Sequence, residues 1–205
     1  MLEKTLENLL KTALLPIGKT MYIYGGGWNE KDTGAGIEAM TLGIDPKWAE
    51  FAQKQDSSYN FKDYDYKQNK EYIHLGLDCS GYIGWLLYNI FQDKGYVDFS
   101  RKIANNLATE NKGKVKKAKY ITEYKAGDIM SGESVSHVWL SLGPCNDGSV
   151  VILHSSPSGV HISGTPTPKG IENSHAIDLA NKYMDKYYPV WNKKYPVKPF
   201  DYLGK

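Results

Sequence analysis

A cysteine flanked by an acid and a small hydroxyl residue stands at Asp78-Cys79-Ser80-Gly81, directly ahead of Tyr82-Ile83-Gly84-Trp85-Leu86-Leu87-Tyr88-Asn89-Ile90-Phe91. Bulky apolar residues at 82, 83, 86, 87, 90 and 91 recur every three to four positions, which marks one buried face of a helix. Cys79 therefore falls in or near the first turn. There the unpaired backbone N–H groups and the positive end of the helix dipole favour a thiolate over a thiol. A small core cysteine packed into a helix cap fits the same residues. What separates the two readings is a base. His137 opens one strand-like run and His154 closes the next. In an antiparallel hairpin the start of one strand lies beside the end of its neighbour, so two imidazoles can meet at one end of a sheet. Cys79 would then attack a carbonyl, His137 would take the thiol proton, and His154 would orient His137 through its other ring nitrogen. Backbone N–H groups at the helix start would hold the oxyanion. The same three side chains are also a conceivable zinc set, although no CxxC or HExxH spacing accompanies them. His74, His161 and His175 have no partner pattern and read as surface or locally hydrogen-bonded residues.

The elements that must carry these residues follow from periodicity and punctuation. Residues 2–15 read as an amphipathic helix ended by Pro16 and Gly18. Met21-Tyr22-Ile23-Tyr24 then runs into Gly25-Gly26-Gly27-Trp28. The three glycines suit either a close backbone approach beside a site or a flexible turn. From Asn29 to His74 the chain is polar and aromatic, with a short helix around 46–52 and no clean period over 57–66. That is too long for a plain connection, so an ordered insertion is expected. A further helix is expected over 98–110. Lysines 112, 114, 116, 117 and 119 form either a polyanion-binding patch or a solvated turn. The second half reads as strands at 128–130, 136–143, 149–156 and 160–163, with a hairpin signal over 144–148. A modest helix over 177–187 and a Pro- and Tyr-rich tail close the chain. No internal repeat and no second domain is evident.

Composition narrows the class. A length of 205 residues suits one domain with a substantial core, and the ordinary apolar and charged fractions argue against wholesale disorder. A net charge of +2 offers no general case for nucleic acid as the partner. The 16 tyrosines suit a groove for a polar polymer and suit an ordinary surface equally. No apolar run approaches a membrane span, and the N-terminus lacks the apolar centre of a signal peptide. With only Cys79 and Cys145 present, no disulfide framework is indicated. A nucleophilic Cys79 must remain reduced, leaving Cys145 as a structural thiol.

Five segments in order carry a resemblance: Tyr22-Ile23-Tyr24-Gly25-Gly26, Asp78-Cys79-Ser80-Gly81, Ala126-Gly127-Asp128-Ile129, His137-Val138-Trp139-Leu140-Ser141-Leu142-Gly143, and Ile152-Leu153-His154-Ser155. Over roughly residues 20–165 the chain resembles the NlpC family (NlpC/p-sixty superfamily) of bacterial cell-wall cysteine endopeptidases. The resemblance implies an α+β fold, with a papain-like core whose catalytic helix packs on a small antiparallel β-sheet. It implies hydrolysis of peptidoglycan stem peptides at the D-γ-glutamyl–diamino acid bond, with no cofactor and no metal. By position Cys79 matches the nucleophile, His137 the base and His154 the third polar residue. Tyr22 matches an aromatic residue that contacts the cysteine region, and Asp78 and Ser80 match positions that help bind the amine of a stem peptide. Asp78 suits a helix cap equally well.

On this basis residues 1–205 form a single peptidase domain, with an insertion at about 29–74 and a C-terminal extension at about 166–205. The insertion is longer than in simple family members and is expected to form a lid or an added wall. The expected partner is a peptidoglycan stem peptide, with no nucleic acid and no transmembrane segment. The resemblance points to a secreted or cell-envelope location, whereas the absence of a signal peptide leaves the cytoplasm open. Two other functions fit the residues: a thiol amidase or acyltransferase acting on a non-wall amide, and a catalytically silent wall-binding module.

Overall fold

The computed structural model describes residues 3–28, 36–96, 124–132 and 137–200. The helix expected over 98–110 and the lysine-rich stretch lie outside the described residues. The fold is α+β, helices plus one four-stranded antiparallel sheet in the order β1-β2-β3-β4. By backbone contacts the chain forms two compact units, Met1–Ser100 with Ser155–His161, and Arg101–His154 with Ile162–Lys205. Among the described residues no helix is long and apolar enough to cross a membrane.

The first unit is built on helices. Helix α1 spans Leu6–Leu14, starting four residues later than periodicity suggests, because Thr5 accepts the Asn8 N–H and caps it there. Helix α2 is Pro46–Lys54, with Pro46 in its first turn and Asp45 capping Lys47 N–H. Helix α3 is Cys79–Phe91, and all of it except Tyr88 and Phe91 is buried. Burial on every side explains why its apolar pattern is so dense. Tyr82 Oη donates to the Ala13 carbonyl at 2.8 Å, which fixes α3 against α1.

The stretch at 36–75 contributes to the core through Ala39, Trp48, Phe51, Ala52 and Ile73, while residues 53–72 are half-buried or exposed. Trp48 is fully buried and meets Trp85 of α3 edge-on at 6.4 Å. Trp85 Nε1 donates to the Gly43 carbonyl, while Asn89 accepts from Gly43 N–H and donates to the Thr41 carbonyl. Short 3-10 turns lie at Ile37–Met40, Phe61–Tyr64 and Lys70–Leu75, and the second of them accounts for the missing period over 57–66. Phe51, Tyr59, Tyr64 and Tyr72 pack together at ring separations of 4.9 to 6.1 Å, typical of aromatic clusters. His74, read as a surface or locally hydrogen-bonded residue, has Nδ1 on the carboxylate of the buried Glu38, 36 residues earlier in the chain.

The second unit holds most of the sheet. Strand β1 is Ile129–Gly132, β2 His137–Pro144, β3 Val150–Ser156 and β4 Gly159–Gly164. The β2–β3 hairpin turns at 145–149, where Gly148 has a positive φ and Cys145 N–H donates to the Ser149 carbonyl. A bulge between Ser141 and Gly143 bends β2. Helix α4, His175–Tyr187, begins two residues before its apolar pattern because Ser174 caps Ile177 N–H. The tail contains a helix that proline content obscured: α5, Pro189–Lys194, with proline at its first position and Trp191 buried.

One histidine, read as a surface or locally hydrogen-bonded residue, is buried and makes local hydrogen bonds. His161 of β4 is only 6% exposed, with Nδ1 on the Gly159 carbonyl and Nε2 facing Ser156 Oγ at 3.3 Å. Burial pulls its pKa down to about 4, against a smaller opposing push from the Gly159 carbonyl. The folded state therefore binds this proton less tightly than the unfolded chain does. Its contribution to stability is complete above about pH 6.5 and is lost as pH falls toward 4, by on the order of 3 kcal/mol. Unfolding titrations of the wild type and His161→Gln, from pH 7 to 4, should show a steeper loss in the wild type; parallel curves would refute it.

Candidate active site

Three sets of contacts within the first unit hold the backbone around Cys79. Residues 21–28 run alongside the approach to α3: Met21 bridges to Gly76, Leu77 N–H donates to the Met21 carbonyl, and Asp78 N–H donates to the Gly26 carbonyl at 3.0 Å. The Gly25-Gly26-Gly27 turn then touches the helix itself. A Cβ on Gly81 would overlap the Gly26 carbonyl oxygen, and one on Gly27 would lie 2.6 Å from the Gly81 Cα. Gly25 and Gly27 have φ of +79° and +87°, a region costly for residues with a Cβ. The glycine run is a close approach of two backbones, which settles the choice left by sequence alone. The third is made by Ser155, whose buried hydroxyl donates to the Leu77 carbonyl at 2.8 Å. Leu77 is two residues before Cys79.

Asp78 caps α3. Its Oδ1 accepts the Gly81 N–H at 2.7 Å and the Ser80 hydroxyl at 2.9 Å. The Ser80 oxygen in turn accepts the Trp28 indole N–H at 2.7 Å. Indole, hydroxyl and carboxylate thus form one chain that locks the first turn, and Ser80 is buried within it. The side chain of Asp78 is half-buried by surface area, but its carboxyl is walled in by its own cap. Burial pushes its pKa up to about 6, beyond what the Gly81, Ser80 and Gly25 bonds restore. Tyr22 lies close enough to feel the charges of Asp78 and Cys79. Burial first, then those charges, raise the pKa of its phenol. Its ring is packed edge-on against Phe61 at 5.2 Å, and its carbonyl accepts the Tyr59 hydroxyl.

In the second unit, His137 Nε2 and His154 Nδ1 are 2.8 Å apart. His137 starts β2 and His154 lies two residues from the end of β3, close to the placement read from sequence. His154 is 3% exposed. A nitrogen pair at this distance shares one proton, so one ring donates and the other accepts. If His137 is to take a proton on Nδ1, its Nε2 must be the donor and His154 Nδ1 the acceptor.

The first unit thus brings together Cys79, Asp78, Ser80 and Tyr22, and the second brings together His137 and His154. Asp78 and Ser80 serve the helix cap, whatever else they contact. Neither cysteine is in a disulfide. Among the described residues no three His, Cys, Asp or Glu side chains are grouped to hold a metal ion. Two residues had no assigned role from sequence: in the first unit Trp28, which ends the glycine segment, and in the second unit Phe200, which nothing in the sequence marked. No family model, curated protein or solved structure matches this chain.

Two outcomes follow. Replacing a helical glycine with alanine ordinarily stabilises by about 1 kcal/mol; Gly81→Ala should instead destabilise by about 2 kcal/mol or more, measured by chemical denaturation, because the methyl meets a backbone carbonyl. A folded-state carboxyl pKa above the unfolded value holds its proton more tightly when folded. Wild-type stability should therefore fall relative to Asp78→Asn as pH rises from about 4 to about 6, by on the order of 3 kcal/mol. Asparagine keeps the cap acceptor, so a pH-independent difference between the two proteins would show that Asp78 ionises normally.

Proposed function

We propose that this chain is a cysteine peptidase that hydrolyses peptidoglycan stem peptides at the D-γ-glutamyl–diamino acid bond. In this reading Cys79, His137 and His154 act together. The observation that carries it is the Ser155-to-Leu77 hydrogen bond, which ties the residue after His154 to the residue two before Cys79. That bond lies within the first unit and joins the chain segment that follows His154 to the segment that leads into Cys79. The His137–His154 pair and the capped helix supply the rest of the support.

The chemistry needs no outside reagent other than water. His137 Nδ1 accepts the Cys79 proton, and the thiolate forms a bond to the carbonyl carbon. The positive charge on His137 strengthens its hydrogen bond to His154, because an ionised donor bonds more strongly than a neutral one. Asp78 already uses N–H groups of the first turn, so the oxyanion falls to the backbone N–H of Cys79 itself. The C–N bond breaks as His137 returns the proton to the leaving amine. Water, deprotonated by His137, then opens the thioester and releases the acid.

Digestion of purified peptidoglycans of both diamino-acid types, with masses of the released fragments, tests the bond and the activity together. Cys79→Ala and His137→Ala should each reduce release by at least about a thousandfold. The rate of Cys79 alkylation should rise with a midpoint well below the ordinary thiol range, and His137→Ala should move that midpoint up. Undiminished cleavage by Cys79→Ala sinks the reading. The edge-on packing of Phe61 on Tyr22 and the Tyr59 hydroxyl on the Tyr22 carbonyl favour one variation, a thiol amidase of the same mechanism acting on a different amide. Cleavage confined to non-wall amides would select it.

A further inference from the structure

The C-terminal tail places an aromatic ring on the imidazole pair. Six residues beyond the end of α5, Phe200 lies 4.8 Å from the His137 ring, 5.4 Å from the His154 ring and 4.9 Å from the Trp139 ring, centroid to centroid. All three approaches are tilted or edge-on, within the range of favourable aromatic contacts. The ring arrives there by construction. Phe200 N–H donates to the Gly164 carbonyl at 2.9 Å and Ser163 Oγ donates to the Lys198 carbonyl at 2.5 Å, so the tail is pinned to the end of β4. Val197 N–H donates to Asn192 Oδ1, tying the same tail back to α5. His137 also stacks nearly parallel to Trp139, two residues along β2, at 5.7 Å. The His137 ring therefore has an aromatic neighbour in its own strand and another from the tail.

We propose that Phe200 is a positioning residue for the His137–His154 pair, a role that rests on reading His137 as the base. A hydrogen bond between two imidazoles needs a defined tautomer and a defined ring angle in each partner. Water competes for all four nitrogens and averages both. A phenyl ring occupies space beside the pair without offering a donor or acceptor of its own. It therefore excludes water from the bond while leaving both nitrogens to each other. It also restricts the χ2 rotation of each imidazole, a torsion that is otherwise broad. The remaining nitrogen of His137 is thereby held at a fixed angle, and misplacement of a reacting group by about an ångström costs on the order of a hundredfold in rate.

The test uses the full chain with 15N-labelled histidine and two variants, Phe200→Ala and Phe200→Tyr. Nitrogen shifts of His137 and His154 near neutral pH report the tautomers directly and need no catalysis. Wild type and Phe200→Tyr should each show separated, single-tautomer shifts, and Phe200→Ala should show averaged ones. In the hydrolysis assay Phe200→Ala should lower kcat by tenfold or more with KM unchanged, and Phe200→Tyr should restore it. Identical imidazole shifts in wild type and Phe200→Ala would overturn the proposal. If Phe200→Ala does not fold, Phe200→Leu replaces it, with averaged shifts supporting the proposal and wild-type shifts overturning it. Shifts that change as expected while no protein, wild type included, cleaves wall peptides would sink the peptidase reading alone. Normal cleavage with unaltered shifts in Phe200→Ala would sink the positioning role alone.

Discussion

Everything around Cys79 depends on two stretches of backbone coming into van der Waals contact. The glycine turn at 25–27 and the first turn of α3 are so close that no side chain fits between Gly26 or Gly27 and Gly81. The same Gly26 carbonyl that would collide with a Cβ on Gly81 accepts the N–H of Asp78. Cys79 is thus bracketed, with a hydrogen bond on the residue before it and a backbone contact two residues after it. Such contacts are stiff, because packed backbone has no rotamers with which to relax. The position of Cys79 is therefore set by the chain path on either side of it. The tyrosines ahead of the turn come along as a consequence, since Tyr22 and Tyr24 lie on the strand-like segment that the glycines anchor.

Electrostatics at the helix start are a competition for the same N–H groups. A free helix end offers its positive pole to whatever anion lies nearby. Here Asp78 has taken part of that capacity, and burial has pushed its own pKa up to about 6. The residual field acting on the cysteine therefore depends on whether Asp78 is ionised. The Trp28–Ser80–Asp78 chain adds direction: with the indole as an obligate donor, the Ser80 hydroxyl must point its proton at the carboxylate. One tryptophan thereby fixes the orientation of a serine, which fixes a cap, which fixes a helix turn.

The two long segments outside the motifs are built into the units that carry them. Residues 36–75 contribute Trp48, the Gly43 and Thr41 carbonyls and the Glu38–His74 pair to the body around α3. The C-terminal segment supplies α4, α5 and the tail residues at β4. Neither behaves as an appendage, because each buries large apolar side chains that a detachable arm would leave in water.

Much of this was legible in the residues themselves. The α3 pattern, the Asp cap, the glycine turn, the strands bearing His137 and His154 and the intervening hairpin are local, and local periodicity and turn chemistry specify them. The edges of α1 and α4 were misplaced by a few residues, because a capping serine or threonine outranks the apolar pattern at a helix end. Helix α5 was hidden by Pro189, which reads as a breaker until it is seen at a first position. The burial of His161 and the partner of His74 needed the tertiary structure, since a histidine carries no sequence mark of what will surround it. The same holds for Phe200: its proximity to the imidazoles arises from hydrogen bonds to Gly164 and Ser163, about 35 residues away in sequence. Spacing along a chain encodes neighbours within an element. Which element's end a distant tail will lie against is decided only when the sheet edge and the apolar surface are both present.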